Sequence, residues 1–294
     1  MKKKKITILG VGKVGSALAL ELADAGYKIK YLIGRAPAIL NKLSKRIKGS
    51  KISDALTPEI LQKSDVIFIT SRDTQIKDAI VEIQAFATDI EGKMFIHTSG
   101  SISSAVLSAL KRKKANIGSF HPIQTFNKVS TKNNKLLSKI YFGIEGDEVT
   151  KKFLKRTSKK LDSGVIEMQS ARKPLYHLAS VMASNFLVMN INMISDVLAK
   201  AGIKDVNTYD VYKGIISQTL KNIDKNGRVN ALTGPVDRND VETISSHLEY
   251  LKKHLPEMET FYKEASKMTS KVAKEKGSLT PKEFTDINRF LSKK

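Results

Sequence analysis

The stretch Ile6-Thr7-Ile8-Leu9-Gly10-Val11-Gly12-Lys13-Val14-Gly15 constrains this chain more than any other. A short apolar run followed by three spaced glycines and then the amphipathic run from Ser16 to Ala25 predicts a buried parallel strand turning sharply into a helix. Gly10 permits the turn, Gly12 leaves the backbone open to a diphosphate, and Gly15 lets the helix lie close to its strand. Unpaired N–H groups at such a helix start attract phosphate, so Gly10, Gly12, Lys13, Val14 and Gly15 are expected to hold a dinucleotide.

The next apolar run, Lys28 to Ile33, ends in Gly34-Arg35, and no acidic residue occurs from Ala25 to Ser53. An acidic strand end would favour the ribose hydroxyl of NAD, whereas Arg35 with Lys42, Lys45 and Arg46 nearby favours the additional phosphate of NADP. NADP(H) is therefore the expected cofactor, with the alternative that these cations are ordinary solvated side chains.

Further runs, Asp65 to Thr70, Lys93 to Thr98 and Asn116 to Phe120, alternate with helical stretches, including one expected over Ser101 to Arg112. Lys139 to Gly146 and Gly164 to Gln169 read as two more strands around a helix near Val149 to Leu161. The alternation predicts an α/β, Rossmann-like parallel sheet that binds ligands beyond the carboxyl ends of its strands. Thr70, Ser71, Ser99 and His121 fall at such ends, with Ser101 read as a helix cap. From Lys173 only helical periodicity remains, with a last helix capped by Thr280 and Glu283 and another entered at Asn239 with Glu242. The expected domains are 1–170 for the cofactor and an all-α region, 171–294.

The absence of cysteine excludes disulfides and thiolate metal sites, and no metal site is expected. The formal charge of +22 is spread along the chain as solvated helix faces, so no nucleic-acid partner is expected. Met1 and the lysines after it imitate a leader, but the glycine turn interrupts the apolar region, and a cytoplasmic chain is the expectation. Pro174 to Ser195 carries no charged residue. Its many polar side chains predict a buried helix of the helical domain, with no membrane partner, and its apolar surface predicts a homodimer through that domain. His177, Ser184 and Asn185 share a face of that helix and are the candidate catalytic groups with His121. His177 is the first choice for a proton donor, and Asn185, Ser184 and His121 would orient a carbonyl. Core polar residues and a turn histidine are the alternatives.

The glycine loop, His97-Thr-Ser-Gly100, Ser119-Phe-His-Pro-Ile-Gln-Thr-Phe126, Gly146-Asp147, Tyr176-His-Leu-Ala-Ser-Val-Met-Ala-Ser-Asn185 and Ala231-Leu-Thr-Gly-Pro-Val-Asp-Arg-Asn-Asp240 together resemble the Rossmann-like DUF2520 family. That family has a C-terminal domain of the 6-phosphogluconate-dehydrogenase type, and some members resemble an alternative class of ketopantoate reductase. The usual ketopantoate reductase carries a lysine and asparagines on the first long C-terminal helix. The best matching positions here hold His177, Val181 and Asn185. The His-Pro segment is similar to that of prephenate dehydrogenases, where the histidine meets the substrate hydroxyl. The resemblance implies an NADPH-dependent reductase of a small 2-oxo acid, ketopantoate (2-dehydropantoate) in pantothenate synthesis first. Thr233 and Arg238 would bind the substrate, Arg238 through its carboxylate, although Arg238 can equally be a solvated residue at a helix start. A non-catalytic NADP sensor and a prephenate- or pyrroline-carboxylate-type dehydrogenase remain alternatives.

Overall fold

The computed structural model describes residues 4–86 and 89–293, in two compact units that divide between Ser184 and Asn185. The leader-like reading of Met1–Lys3 lies outside the described residues.

In the first unit β1 (Lys5–Leu9), α1 (Lys13–Asp24), β2 (Lys28–Ile33), α2 (Pro37–Arg46), β3 (Lys51–Ser53), α3 (Pro58–Gln62), β4 (Val66–Ile69), α4 (Asp73–Ala85) and β5 (Met94–His97) alternate as the hydrophobic pattern requires. The helix expected over Ser101 to Arg112 shrinks to a 3-10 turn, Ser104–Leu107, and a single α-turn, α5 (Ser108–Lys111). Ser103 caps the 3-10 turn through the Ala105 N–H, while the Ser101 hydroxyl donates to Asp73 instead, so Ser101 is not the helix cap. Then follow β6 (Asn116–Pro122), β7 (Tyr141–Gly146), α6 (Glu148–Lys160) and β8 (Gly164–Glu167).

The eight strands form one sheet in the order β3-β2-β1-β4-β5-β6-β7-β8. It is parallel except where β7 pairs antiparallel with β6, which corrects the all-parallel expectation. The connection between those two strands carries no helix to return the chain over the sheet for a parallel pairing.

Successive side chains of β4 feed opposite faces. Phe68 packs with Ile8, Ile96 and Phe120 on one face, and Ile67 and Ile69 with Phe95 and Ile117 on the other. Burial on both faces explains why these strands are continuously apolar rather than alternating. Each of these large side chains stabilises the sheet by about 1.5–3 kcal/mol. Phe120 stacks on Phe142 with ring centres 3.9 Å apart, bonding β6 to β7 on the same face.

The long helix α7 (Lys173–Lys200) starts in the first unit and ends in the second. The second unit continues with α8 (Thr208–Asn230), α9 (Val241–His254), α10 (Pro256–Lys276) and α11 (Pro281–Leu291) around Val236, Ile244, Ala273, Ile287 and Leu291. Thr280 and Glu283 form the capping box of α11. The cap of α9 is Asp240, which accepts from the Thr243 N–H, and not Asn239 with Glu242. Asn239 instead takes a left-handed φ of 54° and donates its side-chain amide to Glu283.

The expectation of a buried α7 is corrected. Leu175 is 68% and Val188 62% exposed, and Met182, Phe186 and Leu187 are also exposed. The segment Ser170–Lys200 is long and apolar enough to cross a bilayer by length and composition. Ile215 on α8 is 65% exposed, and Leu220 and Tyr209 are exposed with it. Sequence patterning marked these side chains as apolar but could not say which surface covers them.

Candidate active site

Gly10 has a left-handed φ of +99°, and a β-carbon there would come within 2.7 Å of the Ser71 amide nitrogen. At Gly15 a β-carbon would lie 2.4 Å from Thr70 Oγ1 and 2.5 Å from the Gly10 carbonyl oxygen. Thr70 closes this contact by donating its hydroxyl to that carbonyl at 2.7 Å, tying the end of β4 to the loop after β1. Gly12 caps α1 without a side-chain hydrogen bond, and the first turn holds no acidic residue. A β-carbon at Gly12 would meet nothing nearer than 4.0 Å, so the loop is open there; the Gly12 N–H itself donates to the Gly10 carbonyl at 2.7 Å, which leaves the Lys13 and Val14 N–H groups of the first turn unused by the helix. Beside it the Ser71 hydroxyl is buried without a partner among the described residues. An anionic diphosphate fits this cradle: it would accept from the helix start and from Ser71.

β2 delivers Gly34 against Val11 of the same loop, with the Gly34 N–H donating to Ser53 on β3. Arg35 follows as an exposed cation, and Lys42, Lys45 and Arg46 lie exposed on α2. Arg35 thus directly follows a residue packed on the glycine loop. The expected outcome of Arg35→Ala is a loss of about 1–3 kcal/mol in the preference for NADPH over NADH, the range of a hydrogen bond to a charged group. Titrating both cofactors against both proteins measures it, and equal affinities in the starting protein would remove the basis for NADP specificity.

A second set of polar residues lies across β5, β6 and β7. His97, Ser119 and Glu145 are register partners on adjacent strands and so present side chains to the same face. The Lys173 ammonium, from the first residue of α7, donates to Ser119 Oγ at 2.5 Å and to Glu145 Oε1 at 2.9 Å. The same carboxylate accepts from the Ser104 N–H at 2.7 Å and from the Ser170 hydroxyl.

Two residues along the strands, His121 pairs with Gly143. A side chain at Gly143 would collide with the Tyr176 hydroxyl, and that hydroxyl hydrogen-bonds His121 Nδ1 at 2.7 Å. His177 follows, its ring centre 6.1 Å from that of His121. The point a Gly100 β-carbon would occupy is 2.7 Å from both His121 Nε2 and His177 Nδ1, and the latter is buried without a partner among the described residues. Gly100→Ala is therefore expected to push both imidazoles apart.

Burial, with the Lys173 charge adding to it, lowers the His121 pKa to about 4 and that of His97 to about 3. Both are neutral near pH 7. Burial raises Tyr176 to about 12, so its hydroxyl keeps its proton. In the unfolded chain both histidines bind protons at about pH 6.5. Stability tied to them is therefore present above pH 6.5 and is lost as pH falls through that value towards 4 and 3. Unfolding midpoints recorded from pH 7 to pH 4 should fall steeply, and less steeply in His97→Gln.

The structure brings His121 and His177 together and adds three residues that the sequence reading missed, Lys173, Tyr176 and Glu145, with Asp73 just beyond the end of β4, where ligand-facing residues were expected. The available signals were a lysine at the edge of a charge-free run and a glutamate inside the apolar strand Tyr141–Gly146. Ser99 is engaged within its own turn, donating to Asp73 at 2.9 Å and accepting from the Ser101 and Ile102 N–H groups. Its hydroxyl organises the turn. Ser184 is half-buried two turns beyond His177, and Asn185, exposed, opens the second unit. In that unit Thr233 is exposed and Arg238 lies 3.8 Å from Asp240.

The glycine cradle on a doubly wound sheet, with titratable groups at its strand ends, defines an NAD(P)-binding oxidoreductase of unspecified substrate. Residues 5–100 match the family described as NADP oxidoreductase, coenzyme F420-dependent, and residues 140–269 match the domain of unknown function DUF2520; the chain pairs these two domains. No curated protein matches it. Among solved structures, protein TM1727 of Thermotoga maritima is 23% identical with a TM-score of 0.74, over 92% of this chain and 99% of its own. The Bacteroides fragilis protein BF3122, provisionally named an NADP oxidoreductase, is 24% identical with a TM-score of 0.67, over 92% and 98%. Pyrroline carboxylate reductase of Plasmodium falciparum, solved with NADP bound, is 15% identical with a TM-score of 0.58, over 94% and 99%. These likenesses establish the fold.

Proposed function

We propose that the chain is an NADPH-dependent reductase of a small 2-oxo acid, with ketopantoate as the first substrate to test. The observation that carries the reading is the convergence of His121 Nε2 and His177 Nδ1 at Gly100, at the carboxyl ends of β5 and β6. Bound NADPH supplies the hydride. The protein must then hold the carbonyl oxygen and deliver a proton as negative charge develops on it. His121, kept neutral and backed by the Tyr176 hydroxyl, is a hydrogen-bond donor or acceptor of fixed orientation. Neutral imidazole can polarise a carbonyl without itself giving up a proton. His177, whose Nδ1 lacks a partner among the described residues, is the group assigned to proton delivery, with Ser184 on the same helix orienting the carbonyl; Asn185, Thr233 and Arg238 remain the candidate carbonyl and carboxylate ligands of the second unit.

A screen of 2-oxo acids, with NADPH oxidation followed by absorbance, tests this. Turnover of ketopantoate or a near relative supports it. Tight NADPH binding without turnover of any 2-oxo acid points to the sensor reading instead.

The exposed apolar residues of α7 and α8 support a homodimer as the working assembly, since a charge-free run of this length in water needs an apolar partner. Light scattering at micromolar concentration should give twice the chain mass. A monomer that instead binds lipid vesicles would overturn the assignment of that face.

A further inference from the structure

We infer that Lys173 is a positioning residue for the His121–Tyr176 pair: locked by Glu145 and Ser119, its ammonium fixes the first turn of α7 on the sheet and sets a buried positive charge near the imidazole. This assignment rests on the proposed site but not on the identity of its substrate.

The geometry is a two-row match between helix and sheet. One row is Ser119 on β6 beside Glu145 on β7, and both bond the ammonium of Lys173. The next row is His121 beside Gly143, and it receives Tyr176, three residues further along α7. Three residues of α-helix advance about 4.5 Å and two residues of strand about 6.6 Å. A single helical turn can therefore reach both rows only when its start is held in place. The Lys173 and Glu145 side chains are 1% and 2% exposed, so water does not screen the pair or substitute for either partner. Sheet position 143 carries no side chain, and the vacated volume is the seat of the Tyr176 ring.

A cation with no access to solvent also acts on its neighbours. The charged or titratable groups acting on His121 are Lys173 and His177 from α7, which oppose its protonation, and Asp73 from α4, which favours it. His97 on β5 also interacts with it, Tyr176 bonds it, and Glu145 on β7 faces the ammonium. Lys173 is the one whose charge is fixed by a buried carboxylate. Its own burial lowers its pKa, and the Glu145 hydrogen bond opposes that loss. Burial is the larger reason the imidazole stays neutral, and the lysine charge adds to it, so Tyr176 and His121 share a hydrogen bond between neutral groups.

Histidine NMR titration of the full chain without substrate tests this, the five histidines being assigned with His121→Asn and the companion single variants. The key protein is the double variant Lys173→Met/Glu145→Gln, which removes the lysine without stranding a carboxylate; Lys173→Met alone is the companion. The His121 midpoint, low at about 4 in the starting protein, should move up towards the ordinary histidine range in the double variant and in any Lys173→Met that folds. A folded double variant with an unmoved His121 midpoint overturns the inference and reduces Lys173 to a structural anchor. A shifted midpoint in a protein that reduces no 2-oxo acid leaves the positioning role standing and removes only the proposed substrate class.

Discussion

Replacing His177 by asparagine is expected to lower turnover about 10²–10⁴-fold while leaving NADPH affinity and the fold intact, the usual scale for removing a general acid. Asparagine keeps a polar group near the Nδ1 position but cannot carry the proton. His121→Asn should cost about 10²–10³-fold, the scale for one preorganised hydrogen bond to a developing oxyanion, because this imidazole is neutral and its contribution is directional. Tyr176→Phe should follow His121→Asn in direction with a smaller loss, since it releases the ring without removing it. Asn185→Ala should lose least. The four variants are compared by kcat and kcat/KM on the best substrate of the screen, with cofactor binding measured separately. If His121→Asn abolishes turnover while His177→Asn is nearly silent, the proton comes through the Tyr176–His121 side and the roles are exchanged.

The second large effect is on stability. Lys173→Met leaves the Glu145 carboxylate inside the sheet layer without its cation, and breaking a buried pair in this way costs about 3–5 kcal/mol. Adding Glu145→Gln should recover most of that loss, because a neutral amide still accepts from the Ser104 N–H and no ion is stranded. Urea unfolding, followed by a probe in the first unit, measures both. Equal stability of the single and double variants would mean that the carboxylate takes up a proton or finds water when the lysine is gone. The pair then adds little to stability in itself, as expected when the cost of dehydrating two ions nearly offsets their attraction.

The fold was legible where local chemistry decides it. The strand–glycine–helix entry, the apolar runs that became β1, β2, β4 and β5, the Thr280 helix start and the helical second half all follow from periodicity and caps. The reversal of β7 was not legible, because an apolar run carries no mark of strand direction. The cap of α9 slipped by one residue because Asn239 and Asp240 are both good caps, and the left-handed turn at Asn239 chose the second. At the site, both histidines were visible as unusual residues in sensible places. The ion pair beside them was not: Lys173, Glu145 and Ser119 lie on three segments up to 54 positions apart, and only the register of β6 with β7 makes them neighbours. A lone buried ion pair has no sequence period. The exposure of α7 was misread for a related reason, since apolar composition predicts that a surface is covered but not by what.

The two-row match between α7 and the β6–β7 pair has a consequence for how the chain assembles. A slip of β7 by a single residue would turn Glu145 to the opposite face of the sheet and bring a bulky neighbour into the place of Gly143. Lys173 would then enter an apolar layer with no carboxylate to meet it, and Tyr176 would find its seat filled. Mis-registered intermediates are thus prevented from closing over their own error, and the last strands are held open to rearrangement until the correct pairing forms. Glu145, Gly143, Lys173 and Tyr176 thus act, during folding, as a proofreading step for the β6–β7 pairing, where the chain reverses.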